Sequence, residues 1–251
     1  MSSTLTRYLH EEIQEWYRVA YGDIKSHKTM IDYYSFGTSE KVNYLLSGFE
    51  NHFEIEHPKN ILDVGCGYGS VAAYLAKKFE KADVLATDVS SNYYRCGEQA
   101  AKRSKISNIK FRDGRAEELD DENQYDLIIC CNVLNFLNSS YLLNQTLSKL
   151  CGALKPGGKL VIHTPHFWSL REPFTRIPLL HFFPTSFQSY VANKLGGRNT
   201  LSDVRNPSQG EIVRTVRKFH VELKRKQPLR RIARLRNTHI TLWFEKHDKV
   251  F

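Results

Sequence analysis

The strongest chemical signal in the chain is Ile61-Leu62-Asp63-Val64-Gly65-Cys66-Gly67-Tyr68-Gly69-Ser70. Apolar residues run up to glycines at every second position. This reads as a buried strand breaking into a tight turn whose bare backbone can lie against a ligand. A dinucleotide-binding turn would read Gly-x-Gly-x-x-Gly, its third glycine letting a helix approach beneath a pyrophosphate. Here that position is Ser70, and the spare glycine comes one residue early. Asp63 stands two residues before the first glycine, where a diphosphate would meet a like charge. The turn therefore suits a ligand with a cationic or amine end. Asp88 follows 25 residues after Asp63, at the end of the next apolar run. There a carboxylate can accept hydrogen bonds from both hydroxyls of a ribose.

The elements that must position these groups alternate along the chain. Strands are predicted at Asn60–Val64, Asp83–Thr87, Ile109–Arg112, Leu127–Cys131 and Lys159–His163, with helical patterns at Ser70–Lys78, 91–104 and 141–154. Strands separated by helices imply βαβ units and a parallel sheet. Pro156-Gly157-Gly158 predicts a tight turn immediately before the fifth strand. Residues 1–50 read as helices, with an aromatic-rich stretch at 27–37 between two amphipathic patterns; they form a cap that either packs on the sheet or closes over the site. Residues 165–207 are too long for an ordinary connection and are rich in Phe, Trp and Tyr, which favours a functional insertion; a short helix is expected near 185–195. Ser208-Gln209-Gly210-Glu211 is a capping-box pattern opening a further helix. Strands at 219–226 and 239–245 would close the sheet edge.

Four segments together resemble the class I S-adenosylmethionine-dependent methyltransferases: residues 61–69, Ala86-Thr87-Asp88-Val89-Ser90, Tyr125-Asp126-Leu127-Ile128-Ile129, and residues 154–162 from Leu154-Lys155-Pro156-Gly157-Gly158 onward. The resemblance spans about residues 60–163. With the strand pattern it implies an α/β fold: a Rossmann-like seven-stranded, mostly parallel sheet with helices on both faces. On this reading a helical cap at 1–50 precedes a methyltransferase domain at 51–251 that carries the insertion. The implied cofactor is S-adenosyl-L-methionine, leaving as S-adenosyl-L-homocysteine. Asp63, Gly65, Cys66 and Gly67 would line its methionine end, with Asn132 near by. Asp88 would hold the ribose, Val89 and Tyr93 would cover the adenine, and Asp113, Arg115, Ala116 and Glu117 would reach the adenine edge. Many relatives have an Asp in place of Arg115; because a guanidinium cannot accept a hydrogen bond, its neighbours must do so here.

Methyl transfer from a sulfonium needs alignment in a water-poor pocket, and a base only where the acceptor is a poor nucleophile such as a hydroxyl. The acidic residues and His that relatives often carry after strand four are replaced by Asn132-Val133-Leu134-Asn135-Phe136-Leu137, and the Asn/Asp-Pro-Pro-Tyr pattern of amino-group methylation is missing. Candidates for the base come from the end of strand five and the insertion: His166 first, then His163, Glu172 and His181. No cluster has metal-site spacing. The segments around 164–184 are faintly similar to bacterial methyltransferases acting on glycans or lipid-linked small molecules. The expected reaction is transfer to a small-molecule, glycan or lipid-linked acceptor, at a hydroxyl. The alternatives are an RNA methyltransferase and a non-catalytic cofactor-binding protein of the same fold.

Composition sets the outer limits. The 251 residues are 41% hydrophobic, and no apolar run is long enough to span a bilayer. The polar first twenty residues fit neither a signal nor a transit peptide, and five cysteines without metal-type spacing imply reduced thiols. A cytoplasmic protein is expected. The net charge of +9 is uneven: residues 190–251 carry 15 Lys/Arg against 5 Asp/Glu, and residues 1–189 carry 21 against 22. Such a basic segment favours an anionic or amphipathic partner. Nucleic acid is disfavoured as that partner because the basic residues are not interleaved with a stacking pattern of aromatics.

Overall fold

A computed structural model describes residues 3–50, 57–165, 206–226 and 239–247, with residues 167, 177, 180–183, 187, 190, 191 and 194 of the intervening segment. Three helices lead: α1 (Thr4–Tyr21), α2 (Lys28–Ser35) and α3 (Thr38–Glu50). Then come β1 (Asn60–Val64), α4 (Ser70–Lys78), β2 (Asp83–Asp88), α5 (Ser91–Arg103), β3 (Ile109–Asp113), β4 (Tyr125–Cys131), α6 (Ser140–Ala153) and β5 (Leu154–Pro165). The chain closes with α7 (Gln209–Arg217), β6 (Val221–Lys226) and β7 (His239–Lys246). The seven strands lie in the order β3-β2-β1-β4-β5-β7-β6. Strands β1 to β5 pair in parallel, and β7 runs antiparallel between β5 and β6.

The strict two-residue alternation of the strands divides the core into two layers. Ile61, Leu127, Ile129, Val161 and Trp243 face α3 and α4, where Val42, Leu45, Phe49, Val71 and Leu75 are buried against them. Leu62, Ile128, Leu160, Ile162 and Phe244 face α6 and α7, packed on Leu143, Leu147, Leu150, Ile212 and Val216. Asp126 ties the lower ends of three strands together: its carboxylate accepts from the backbone N–H of Lys59 and Asn60 at 2.9 and 2.8 Å and from Lys155 Nζ.

The leading helices are part of this packing. In α1, Leu5, Leu9, Ile13 and Tyr17 recur at four-residue steps and are buried with Ala73, Cys96 and Ala100. Ser3 caps its first turn and Gly22, in the left-handed conformation, ends it. Arg103 on α5 pairs with Glu11 and Glu12 of α1 at 2.5 and 2.7 Å. Helix α3 lies directly on the sheet, and Trp243 Nε1 of β7 donates to Leu45 O at 2.7 Å.

Two boundaries differ from the expectation. Strand β5 begins at Leu154 rather than Lys159. Pro156, Gly157 and Gly158 do not form a separate turn; they fall within a register shift, with Tyr125 opposite Leu154 and Leu127 opposite Lys159. The aromatic stretch after α1, to which the sequence pattern assigns no helix of its own, forms α2 at residues 28–35. Most of the 165–207 stretch, including most of the helix expected near 185–195, lies outside the described residues. Among those described, Leu180 is buried against Ile177 and Val191.

Candidate functional site

The order of strands reverses between β1 and β4, since β1 is followed on one side by β2 and β3 and on the other by β4 and β5. At such a switch point the loops leave in opposite directions and open a crevice at the carboxyl ends of the strands. A cleft of about 600 Å³ lies there. Its floor is the glycine turn; its walls come from the ends of β2, β3 and β4; its roof is the α2–α3 region; and His239 of β7 closes the far end.

The turn is held open by its own backbone. Gly65 has φ +64°, and a Cβ there would lie 2.3 Å from Val133 Cγ2, so only glycine fits between β1 and the loop after β4. Gly67 donates its N–H to Asp88 Oδ2 at 2.8 Å, which locks the turn onto the end of β2. Asp88 itself is half-buried, and burial raises its pKa. Asp63 is 1% exposed and its Oδ2 has no partner among the described residues. Burial, followed by the neighbouring Asp88 charge, pushes its pKa up to about 7, against the opposing pull of Lys41.

Lys41 is the group that sequence reading missed. It stands in the first turns of α3 and reaches into the cleft among Tyr33, Tyr34, Cys131 and Asp63. Burial opposes its charge, but Cys131 and Tyr33 outweigh that, and its pKa lies above the ordinary lysine value. No carboxylate comes within ion-pair distance of it among the described residues. A cation and an orphaned carboxyl oxygen thus share one half-dry cavity, matching the two opposite charges of an amino-acid end. Asn132 adds a further unpartnered oxygen, Oδ1, at the end of β4, with its backbone at φ +58° and its N–H bonded to His163 O at 2.7 Å.

The other predicted residues divide. Cys66, Val89, Tyr93, Arg115, Ala116 and Glu117 all line the cleft. Val89 and Tyr93 are exposed at its mouth, and the Tyr93 ring packs on Trp16 and Tyr68. Arg115 is neutralised by Glu117 through an Nε to Oε1 contact of 2.7 Å, which leaves Glu117 buried and Arg115 turned outward. Asp113 does not join them: its Oδ1 accepts from Tyr94 OH at 2.9 Å, and it borders a separate cavity of about 380 Å³ beside β3.

Of the proposed bases, only the side chain of His163 is described. His163 does not line the cleft; its Nδ1 bonds Thr241 Oγ1 at 2.8 Å, and burial, then His239 and Lys41, lower its pKa to about 3. It is a buried histidine satisfied by its neighbour strand. His181 falls in a short turn at 180–182, and the described residues that bound the cleft come from other segments. His166 and Glu172 lie outside the described residues. The histidine that the structure does bring to the cleft is His239, the first residue of β7. Nothing in its sequence surroundings marked it, because its position depends on an antiparallel strand returning from the far end of the chain.

The strand order and the cleft at its switch point are those of the Rossmann-like methyltransferase fold, and the comparisons with known proteins agree on that fold. Residues 61–158 match the family model of a methyltransferase domain. Through this domain the chain is similar to the class I S-adenosylmethionine-dependent methyltransferases. A malonyl-[acyl-carrier protein] O-methyltransferase of Priestia megaterium is 38% identical over 49% of this chain and 41% of its own length. A ubiquinone biosynthesis O-methyltransferase of Rickettsia felis is 28% identical over 51% of this chain and 52% of its own. The matches thus span about half or less of these curated relatives. Among solved structures, an S-adenosylmethionine-dependent methyltransferase from Clostridium acetobutylicum superimposes with a TM-score of 0.60 at 13% identity, covering 89% of this chain and 99% of that one. A magnesium protoporphyrin IX methyltransferase from Synechocystis, solved with bound S-adenosylhomocysteine, gives 0.55 at 16% identity over 84% and 82%. Likeness at this level of identity speaks for the fold.

Proposed function

We propose that this protein transfers a methyl group from S-adenosylmethionine to a hydroxyl of a small-molecule, glycan or lipid-linked acceptor. The observation that carries the reading is the cleft at the β1–β4 switch point, where the glycine turn, Asp88, and the Asp63–Lys41 pair of opposite charges converge. Asp63 and Lys41 would hold the ammonium and carboxylate of the methionine end. Asp88, whose Oδ2 holds Gly67 at the end of β2, would accept from the ribose hydroxyls. Val89, Tyr93 and Ala116 offer apolar surface for an adenine. When bound, the cofactor supplies a methyl group already activated on a sulfonium.

The protein then has to align the acceptor in a water-poor site, for which Tyr33, Val133, Phe136 and Leu137 offer apolar surface along the cleft. The printed names of the two curated relatives, both O-methyltransferases, support an oxygen acceptor. The cysteines are free, as a reducing cytoplasm maintains them, and no described helix is long and apolar enough to cross a membrane. A cytoplasmic site of action is part of this reading.

Calorimetric titration tests the donor. S-adenosylhomocysteine should bind in the micromolar range, about −8 kcal/mol, and NAD should not. Asp88→Ala removes charge-assisted hydrogen bonds worth about 1.5–3 kcal/mol and should weaken binding roughly 10- to 100-fold. An intact protein that binds no adenosyl ligand would overturn the proposal.

A further inference from the structure

The cleft divides along the sheet order. Apart from Lys41 of α3, the residues suited to the methyl donor come from β1, β2 and β3 and the loops that follow them: Asp63, Gly65, Gly67, Asp88, Val89 and Ala116. On the other side of the switch point stand groups that the donor does not use. They are Phe136 and Leu137 after β4, Tyr33 from α2, and His239 from β7.

His239 reaches this place through the topology. Strand β7 runs antiparallel beside β5, with His239 opposite Pro165 and Thr241 opposite His163. The first residue of β7 therefore stands at the same edge of the sheet as the last residues of the parallel strands, where the cleft opens. It is the one described histidine that lines the cleft. Its ring is fixed from behind. It stacks on His163 with centroids 5.1 Å apart and planes within 8°. His163 Nδ1 is bonded to Thr241 Oγ1 at 2.8 Å, and Thr241 Oγ1 meets Tyr44 OH of α3 at 2.9 Å. A part-buried polar ladder that fixes a neighbouring imidazole is the kind of support a proton-transfer group needs. Burial, with the Lys41 charge adding to it, lowers the pKa of His239 to about 4. At neutral pH the ring is therefore uncharged and able to accept a proton.

Resting on the methyl-donor reading above, we infer that His239 receives the proton of a hydroxyl acceptor whose flat apolar body lies against Phe136, Leu137 and Tyr33. As the acceptor oxygen forms its bond to the methyl carbon, the carbon–sulfur bond breaks with its electron pair left on sulfur. The hydroxyl proton passes to an imidazole nitrogen of His239. One positive charge leaves the sulfonium and one appears on the imidazolium, so the cleft carries the same net charge before and after. A carboxylate or thiolate acceptor would need no such group, which makes the assignment a statement about substrate class.

The test compares the parent protein with His239→Gln and His239→Ala. Calorimetry with S-adenosylhomocysteine comes first, and both variants should bind it within about twofold of the parent, because His239 is placed outside the donor half. Labelled-methyl transfer is then measured to hydroxyl probes (catechol, 4-hydroxybenzoate and a long-chain phenol) and to thiophenol. Both variants should lose roughly 100-fold or more with the hydroxyl probes, less than about threefold with the thiol, and free imidazole should partly restore His239→Ala. A readout independent of turnover is NMR of the product complex, where catechol should shift the ring signals that vanish in His239→Gln. Hydroxyl methylation at the parent rate in the variants overturns the inference. So does a parent protein that binds S-adenosylhomocysteine but methylates no hydroxyl probe, or a ring signal unmoved by catechol. Failure of the parent to bind S-adenosylhomocysteine overturns the donor reading instead.

Discussion

Replacing Asp63 by asparagine tests the electrostatics of the site without changing its shape. Asp63 is 1% exposed, and its pKa is pushed up to about 7, chiefly by burial. In the unfolded chain the same carboxyl titrates near the ordinary aspartate value of about 4. Between those two values the folded protein binds more protons than the unfolded one, so stability falls as pH rises. The penalty is absent below about pH 4, sets in between about 4 and 7, and is complete above. A shift of about three units corresponds to about 4 kcal/mol at 1.36 kcal/mol per unit. Relaxation and water entry at the cleft reduce what is realised, and about 1–2 kcal/mol is a reasonable expectation for a protein of this size. An asparagine side chain carries no charge at any pH, so ligand-free Asp63→Asn should melt with the parent at about pH 3.5 and roughly 2–8 °C above it at pH 8. Thermal denaturation followed by circular dichroism at the two pH values measures this. The ligand gives the opposite sign: the Asp63→Asn variant should bind S-adenosylhomocysteine at least about tenfold more weakly, having lost a charge-assisted partner for the ammonium. In the parent at pH 7, binding should release a fraction of a proton, visible as a dependence of the calorimetric enthalpy on the buffer's ionisation heat. A melting difference that is the same at about pH 3.5 and pH 8 would refute the argument, because it would show that Asp63 does not titrate in that window.

Two further outcomes follow from the cap. Lys41→Met should weaken S-adenosylhomocysteine about tenfold or more while leaving 5′-methylthioadenosine, which lacks the amino-acid end, unchanged in calorimetry. Equal loss for both ligands would mean that Lys41 supports the cleft generally and does not hold a carboxylate. Trp243→Phe removes the 2.7 Å bond from the indole N–H to Leu45 O that joins β7 to α3. It should cost about 1 kcal/mol, or roughly 2–4 °C in melting temperature, and an unchanged melting temperature would show that apolar packing alone seats α3.

The glycine-turn side of the cleft was legible in the sequence because its signals are local. A glycine turn is needed wherever the backbone adopts positive φ or another chain passes within touching distance, as Val133 does at Gly65. The Asp63 to Asp88 spacing is one strand–helix–strand unit, whose length is set by the crossover itself. Asp113 was misplaced although its strand was read correctly. A side chain at a strand end can turn to either side, and here the Tyr94 hydroxyl drew it away. The Pro156-Gly157-Gly158 segment signalled an irregularity, but whether that is a turn or a register shift depends on how the partner strand β4 pairs.

By itself, then, the sequence determined the alternating core, the glycine turn, the Asp88 carboxylate at the end of β2 and the class of fold, all of which depend on periodicity or on contacts within a few tens of residues. Only the tertiary structure decided the rest. Lys41 enters the site because α3 packs on Trp243 of β7, and His239 because β7 slots antiparallel between β5 and β6. Neither residue has a sequence neighbour that marks it. Their roles arise from two ends of the chain meeting over one sheet edge, and no local pattern encodes a contact between segments that far apart.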